Sequence, residues 1–150
     1  MMNISEIVTD PHANGTFVAA WMSKQSAQQL ADWCDQQQIA HDDFGEFHCT
    51  LCYSRQPMPQ AEALQGPVHL TAQVLEWKNL GETAAVIAVE SAKIVQLHQL
   101  LRQHGASHDY DEYTPHVTVN SQQHLAPLPH QLPPFELTFD RIVVKPIVDY

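Results

Sequence analysis

Basic residues are scarce in this chain. Lys and Arg together number 7 against 17 Asp and Glu, a net charge of −10 with histidine neutral. A protein that grips duplex nucleic acid needs a basic face to replace phosphate counterions, and these cations are too few to build one. A small nucleotide is still an admissible ligand, because a pocket sets its own local potential. Its phosphates would have to meet neutral donors, histidines and a few cations such as Arg55. Long apolar runs are also missing. No stretch approaches the roughly 20 residues of a membrane span. Met1 to Pro11 lacks the basic start and apolar block of a secretory signal. The expectation is a cytoplasmic protein with no membrane partner.

Cysteine is sparse, at three: Cys34, Cys49 and Cys52. An odd number in that compartment reads as free thiols. Cys49 and Cys52 form a C-x-x-C, but the surrounding run, Phe47 to Tyr53, reads as a strand. Residues three apart on a strand are expected to face opposite sides, about 10 Å apart, which is beyond disulfide reach. The ten histidines include His98, His104 and His108, but none sits at H-E-x-x-H or Cys–His zinc spacing. No metal site and no cofactor is predicted.

What the chain does have is the composition of one folded domain. It has 150 residues, 44% hydrophobic and 16% charged, enough for a single core. Thr16 to Met22 reads as a strand, Ser23 as a helix cap, and Lys24 to Gln38 as a helix with apolar residues at 27, 30, 31 and 34. A polar loop leads into the strand Phe47 to Tyr53. Ser54 to Pro67 reads as a loop, and Val68 to Trp77 as a half-exposed strand. The order then restarts. Thr83 to Glu90 is a strand, Ser91 a cap, Ala92 to His104 a helix stopped by Gly105, and His116 to Asn120 a strand. A proline-rich loop and a last strand, Phe135 to Val144, follow.

The two runs share one spacing. Ser23 precedes His48 by 25 residues, and Ser91 precedes His116 by 25. This reads as a faded duplication of a β-α-β unit, with halves at about 15–77 and 83–145, in one domain. A pseudo-two-fold arrangement would set the two strands that begin at the histidines side by side.

Those strands carry matching motifs, His48-Cys49-Thr50-Leu51 and His116-Val117-Thr118-Val119. On a strand, residues i and i+2 share a face. Each motif therefore offers an imidazole and a hydroxyl to the same space, while Leu51 and Val119 turn toward a core. A His-x-Ser/Thr-apolar pattern is short, and roughly 0.4 matches would arise by chance in this composition. His69-Leu70-Thr71-Ala72 is a third match. No strand-cap-helix unit lies 25 residues before His69, so the repeat selects His48 and His116 and leaves His69 on the wet face of an ordinary strand. A phosphodiester cut by its own 2′-hydroxyl needs one base and one acid. Histidine serves as either near neutral pH, and two hydroxyls can hold the charge that builds on the non-bridging oxygens.

At these residues the chain resembles the 2H phosphoesterase superfamily, which is defined by two His-x-Thr/Ser-apolar motifs. The strings Phe47 to Arg55 and Tyr110 to Val119, with the Gly15-Thr16-Phe17 opening, are most similar to the phage anti-CBASS phosphodiesterases of T4-type phages. The resemblance implies an α/β (α+β) fold of two lobes: duplicated β-α-β units with mainly antiparallel sheets and outer helices around a central cleft. It implies a metal-free enzyme that opens 3′–5′ linkages of cyclic di- and trinucleotides, such as cyclic GMP-AMP or cyclic tri-AMP, in host cytoplasm, so that a phage evades CBASS immunity. His48, Thr50, His116 and Thr118 carry over as catalytic. Phe17 and Trp77, with Tyr150 in a C-terminal lid, are candidates for stacking on bases. Arg55 and Tyr113 are further candidates for touching substrate. An acidic base-reading residue has no clear position, since Lys145 stands about where one is expected. An RNA-end 2′,3′-cyclic or 2′–5′ phosphodiesterase and a nucleotide sponge that does not cut remain alternatives. Monomer is the default state.

Overall fold

The computed structural model describes residues 12–109 and 112–148. Along the chain these form β1 (Thr16–Met22), α1 (Lys24–Gln36), β2 (His48–Ser54), β3 (Gly66–Leu80), β4 (Ala84–Glu90), α2 (Ala92–Gln103), β5 (His116–Asn120) and β6 (Leu137–Pro146). Short 3-10 turns, Phe44–Glu46 and Pro59–Leu64, precede β2 and β3. The second of these lies in the segment expected to be an irregular loop. The expected strand Val68 to Trp77 is longer at both ends. Every strand pair is antiparallel, giving the mixed α+β architecture expected.

Local chemistry repeats as the spacing predicts. Ser23 Oγ accepts the Ser26 N–H at 3.1 Å to start α1. Ser91 Oγ accepts the Ile94 N–H at 3.3 Å to start α2. Each bond satisfies a backbone donor that has no partner within its helix. Gly105, at φ +105°, ends α2 in the left-handed region glycine tolerates. Gly15 enters β1 at φ +122°, where a Cβ would lie 2.1 Å from the Ser54 carbonyl oxygen.

The strands close in the order β1-β2-β5-β4-β3-β6. β3 follows β2 in the chain yet pairs with β4, and β6 follows β5 yet pairs with β1. The β1–β2 register runs from Thr16 to Trp21, and the β4–β5 register from Ala85 to Ala88. Between β2 and β5 only Cys49 and Val117 are partners. The two motif strands therefore touch at one point and separate on either side of it, which leaves room between them.

Register also sorts the faces, because side chains of paired residues point the same way. Cys49 pairs with Val117, Val117 with Ile87, and Ile87 with Trp77. All four are buried and form the core face. Helix α1 packs there through Leu30, Trp33 and Cys34, with Trp33 stacked on Trp77 at 6.5 Å. His48, Thr50, His116 and Thr118 belong to the other face.

One irregularity corrects the expectation for the thiols. In the β1–β2 register Val18 faces Cys52 while Ala19 faces Thr50, so Leu51 is an extra residue in β2. A bulge of this kind resets the alternation. Cys49 and Cys52 are both buried rather than on opposite faces, and both are free thiols. Burial pushes both up to about 11, and pushes Cys34 up to about 12. Thiolate is the reactive form. DTNB should therefore find no fast-reacting thiol in the native protein at pH 8 and three after denaturation. Rapid modification of the native chain would contradict this burial.

Candidate active site

Both motif histidines are held in the same way. His48 Nδ1 lies 2.7 Å from the Glu46 carbonyl oxygen, and His116 Nδ1 lies 2.8 Å from that of Thr114. A carbonyl only accepts, so each Nδ1 carries the hydrogen. Nε2 is left as the atom that exchanges protons. Thr50 and Thr118, two residues further along each strand, are half-buried on the same face. The extended backbone around each histidine puts the carbonyl two residues back within reach of its own ring.

The proton affinity of His48 is lowered. Burial is the largest cause, and the nearby charges of His116 and Lys145 push the same way, against the Glu46 carbonyl and carboxylate. The same interactions place His116 and Lys145 within electrostatic reach of His48. Unprotonated at neutral pH, the ring has a lone pair on Nε2.

A set of aromatic side chains surrounds His48. The ring stacks on Trp21 at 4.4 Å and 13°, and meets the edge of Phe17 at 5.8 Å. Phe17 in turn meets Tyr53 at 6.2 Å, and Tyr53 is 47% exposed. Trp21 Nε1 donates to the Gly45 carbonyl at 2.9 Å, which anchors the ring. The Lys145 ammonium lies over Trp21, 5.2 Å from its centroid. Phe17, expected as a base-stacking candidate, sits beside His48. Trp21, Tyr53 and Lys145 were not selected as site residues. Phe17 and Trp21 are the two large half-exposed side chains of a strand otherwise buried, four positions apart on one face. That period-two spacing was the available signal.

Other expected residues lie elsewhere. Trp77 is 6% exposed, stacked on Trp33, and its Nε1 donates to the Gln131 carbonyl at 2.9 Å. It belongs to the core and not to the cleft. Its neighbours Glu76 and Lys78 share the cleft face instead, since Glu76 pairs with Ala88 and Lys78 with Val86, the partners of His116 and Thr118. Arg55 forks onto Asp109, with Nη2 3.1 Å from Oδ2 and Nε 3.2 Å from both oxygens. It ties the end of β2 to the loop after α2 and is not gathered with the histidines. His69 is exposed on β3, away from both motif strands. Tyr150, like Tyr110, is outside the described residues.

Tyr113 braces the site from behind instead of lining it. Its hydroxyl donates to the Thr50 carbonyl at 2.7 Å, and its ring stacks on His98 at 3.8 Å and 6°. His98 Nδ1–H donates to the Leu51 carbonyl at 2.7 Å. Together they satisfy two neighbouring carbonyls at the β2 bulge, where the strand has turned away from β5. Burial raises the Tyr113 hydroxyl, which stays a donor at any working pH. Tyr113→Phe leaves the Thr50 carbonyl without this partner. It should cost about 1 kcal/mol of stability in a denaturant titration. Turnover should also fall as Thr50 loosens. A fully stable, fully active variant would show that the brace carries no load.

The chain is similar in sequence and fold to known proteins. The family model described as "Anti-CBASS protein Acb1" matches residues 14–146. An anti-CBASS protein Acb1 of Yersinia phage phiR1-RT is 28% identical over 140 residues, 92% of each chain. That of Enterobacteria phage T4 is 29% identical over 110 residues, 72% of each. Among solved structures, E. coli LigT complexed with 3′-AMP superposes with a TM-score of 0.64 at 16% identity, covering 90% of this chain and 87% of that one. Its NADP+ complex gives a TM-score of 0.60 at 12% identity, with the same coverage of 90% and 87%. A family match across nearly the whole chain, on a fold similar to that of LigT, establishes that this protein belongs to the Acb1 family of anti-CBASS proteins.

Proposed function

We propose that this chain is a metal-independent phosphodiesterase that opens cyclic di- and trinucleotide signals, with His48 as general base and His116 as general acid. The observation that carries the reading is the matched pair of imidazoles, each with Nδ1–H on a backbone carbonyl and Nε2 left to exchange a proton. His48 takes the basic role because burial and its cationic neighbours favour the neutral ring. It accepts the proton of a substrate 2′-hydroxyl as that oxygen bonds to phosphorus. The bond from phosphorus to the 5′-oxygen breaks, and His116 Nε2–H protonates the leaving oxygen. The Thr50 and Thr118 hydroxyls donate to the non-bridging oxygens as their charge builds. The product is linear, with a 5′-hydroxyl at one end and a 2′,3′-cyclic phosphate at the other. Water can then open that phosphate with the two histidines in exchanged roles.

Family membership supports a substrate among the signals of CBASS immunity, such as cyclic GMP-AMP or cyclic tri-AMP. It also supports action in the cytoplasm of an infected host. The half-exposed Phe17 and the exposed Tyr53 beside His48 support a ligand that presents a base for stacking.

The test is chromatography of 3′,3′-cyclic GMP-AMP incubated with the protein in EDTA. Linear products should form with the wild type and fall by a factor of at least about 1,000 in His48→Ala and in His116→Ala. The pH profile should be bell-shaped. The acid limb belongs to His48, whose proton affinity is lowered, so activity should persist below pH 6.5 and fall as His48 becomes protonated. Nucleotide that stays bound and uncut would mean a sponge, and cutting of linear RNA ends alone would mean an RNA-end enzyme. A flat profile from pH 5 to 9 would exclude the two-histidine mechanism.

A further inference from the structure

Three cations occupy cleft-face positions by register. Lys78 pairs with Val86, the partner of Thr118; Arg141 pairs with Trp21; and Lys145 pairs with Phe17. Two of them are already matched by carboxylates. Lys78 Nζ lies 3.5 Å from Glu76, and Arg141 Nη1 lies 3.0 Å from Asp140. Lys145 has no carboxylate partner among the described residues. Its ammonium is over the Trp21 ring, within electrostatic reach of His48, in a protein of net charge −10.

The strand order fixes what Lys145 can reach. β1 lies between β2 and β6, so His48 stacks on Trp21 from the β2 side and Lys145 covers it from the β6 side. Trp21 is thereby used as a spacer, and its ring is not the surface left open for a base. The aromatic pair left for stacking is Phe17 with Tyr53, in the same register row as Lys145. Trp21 stands between His48 and Lys145, so a phosphate held at Lys145 is a different one from a phosphate at His48. An ammonium without a carboxylate partner, on a four-carbon stem, suits a phosphate that must be held but not cut.

We infer that Lys145 is a substrate-binding residue that holds a second phosphate of the cyclic oligonucleotide, one not being cleaved. This rests on the cyclic-nucleotide reading above and deepens it. It assigns the cleft a preference for ligands with at least two phosphodiesters. A lone 2′,3′-cyclic end cannot use the contact.

The test uses Lys145→Met, which keeps a stem over Trp21, and Lys145→Arg, which keeps the charge. Both are made in a His116→Ala background so that binding is read without turnover. Calorimetry with 3′,3′-cyclic di-AMP and 3′,3′-cyclic GMP-AMP should show the Kd rising about tenfold or more for Lys145→Met with both ligands. Lys145→Arg should recover most of that loss. The parent Kd should weaken with added salt more steeply than that of Lys145→Met. An unchanged Kd would overturn the inference. A loss confined to the guanine-containing ring would overturn it too, by assigning Lys145 to a base acceptor. Tight binding by the parent with no cleavage by the wild type would refute the enzyme reading and leave this contact standing. No binding of either ring by the parent would refute both.

Discussion

Each motif histidine spends one ring nitrogen on its own backbone. The bonds from Nδ1–H to the carbonyls of Glu46 and Thr114 fix the tautomer, aim each ring and leave Nε2 for proton transfer. Their geometry exists only because both histidines stand at the first residue of a strand, just after a segment that turns into it. Everything else in the site depends on how far apart those two strand beginnings are held. One register pair, Cys49 with Val117, sets that separation. A fully paired ladder would hold β2 and β5 together along their length.

The opened ladder leaves backbone groups to be satisfied, and side chains supply the partners. Tyr113 takes the Thr50 carbonyl, His98 takes the Leu51 carbonyl, and the two rings stack on each other. The brace thus comes from α2 and the segment entering β5, and it stabilises β2. The surroundings of the two histidines are also unequal. The face around His48 carries Phe17, Trp21 and Tyr53, whereas the residues paired with His116 and Thr118 are Ala88 and Val86. The aromatic side chains therefore gather on the β1–β2 side, although β2 and β5 each contribute a histidine.

The architecture and the histidine pair were legible because they rest on period-two alternation, serine caps and a fixed 25-residue spacing. All three are local signals. Trp77 was misassigned because its strand alternates with charged neighbours and reads as exposed. Only register, through Ile87 and Val117, shows that Glu76 and Lys78 are the residues facing the cleft. The cysteines are free thiols as expected, but Cys49 and Cys52 share the core face because the bulge at Leu51 breaks the strand's alternation. Arg55 looked available because its partner, Asp109, is 54 residues away in sequence. Trp21 and Lys145 were passed over because their contact joins β1 to β6 across most of the chain. Long-range pairing is the information that a single strand's pattern does not contain.

The backbone bonds set both histidines into one tautomer, and burial favours the neutral ring of His48. Nitrogen NMR of the protein labelled in its histidine rings reads this directly. Hydrogen should be found on Nδ1, and a lone pair on Nε2, for both His48 and His116 when neutral. His48 should titrate below the ordinary histidine value of about 6.5. Hydrogen on Nε2 of either ring, or a His48 that titrates above that value, would contradict it.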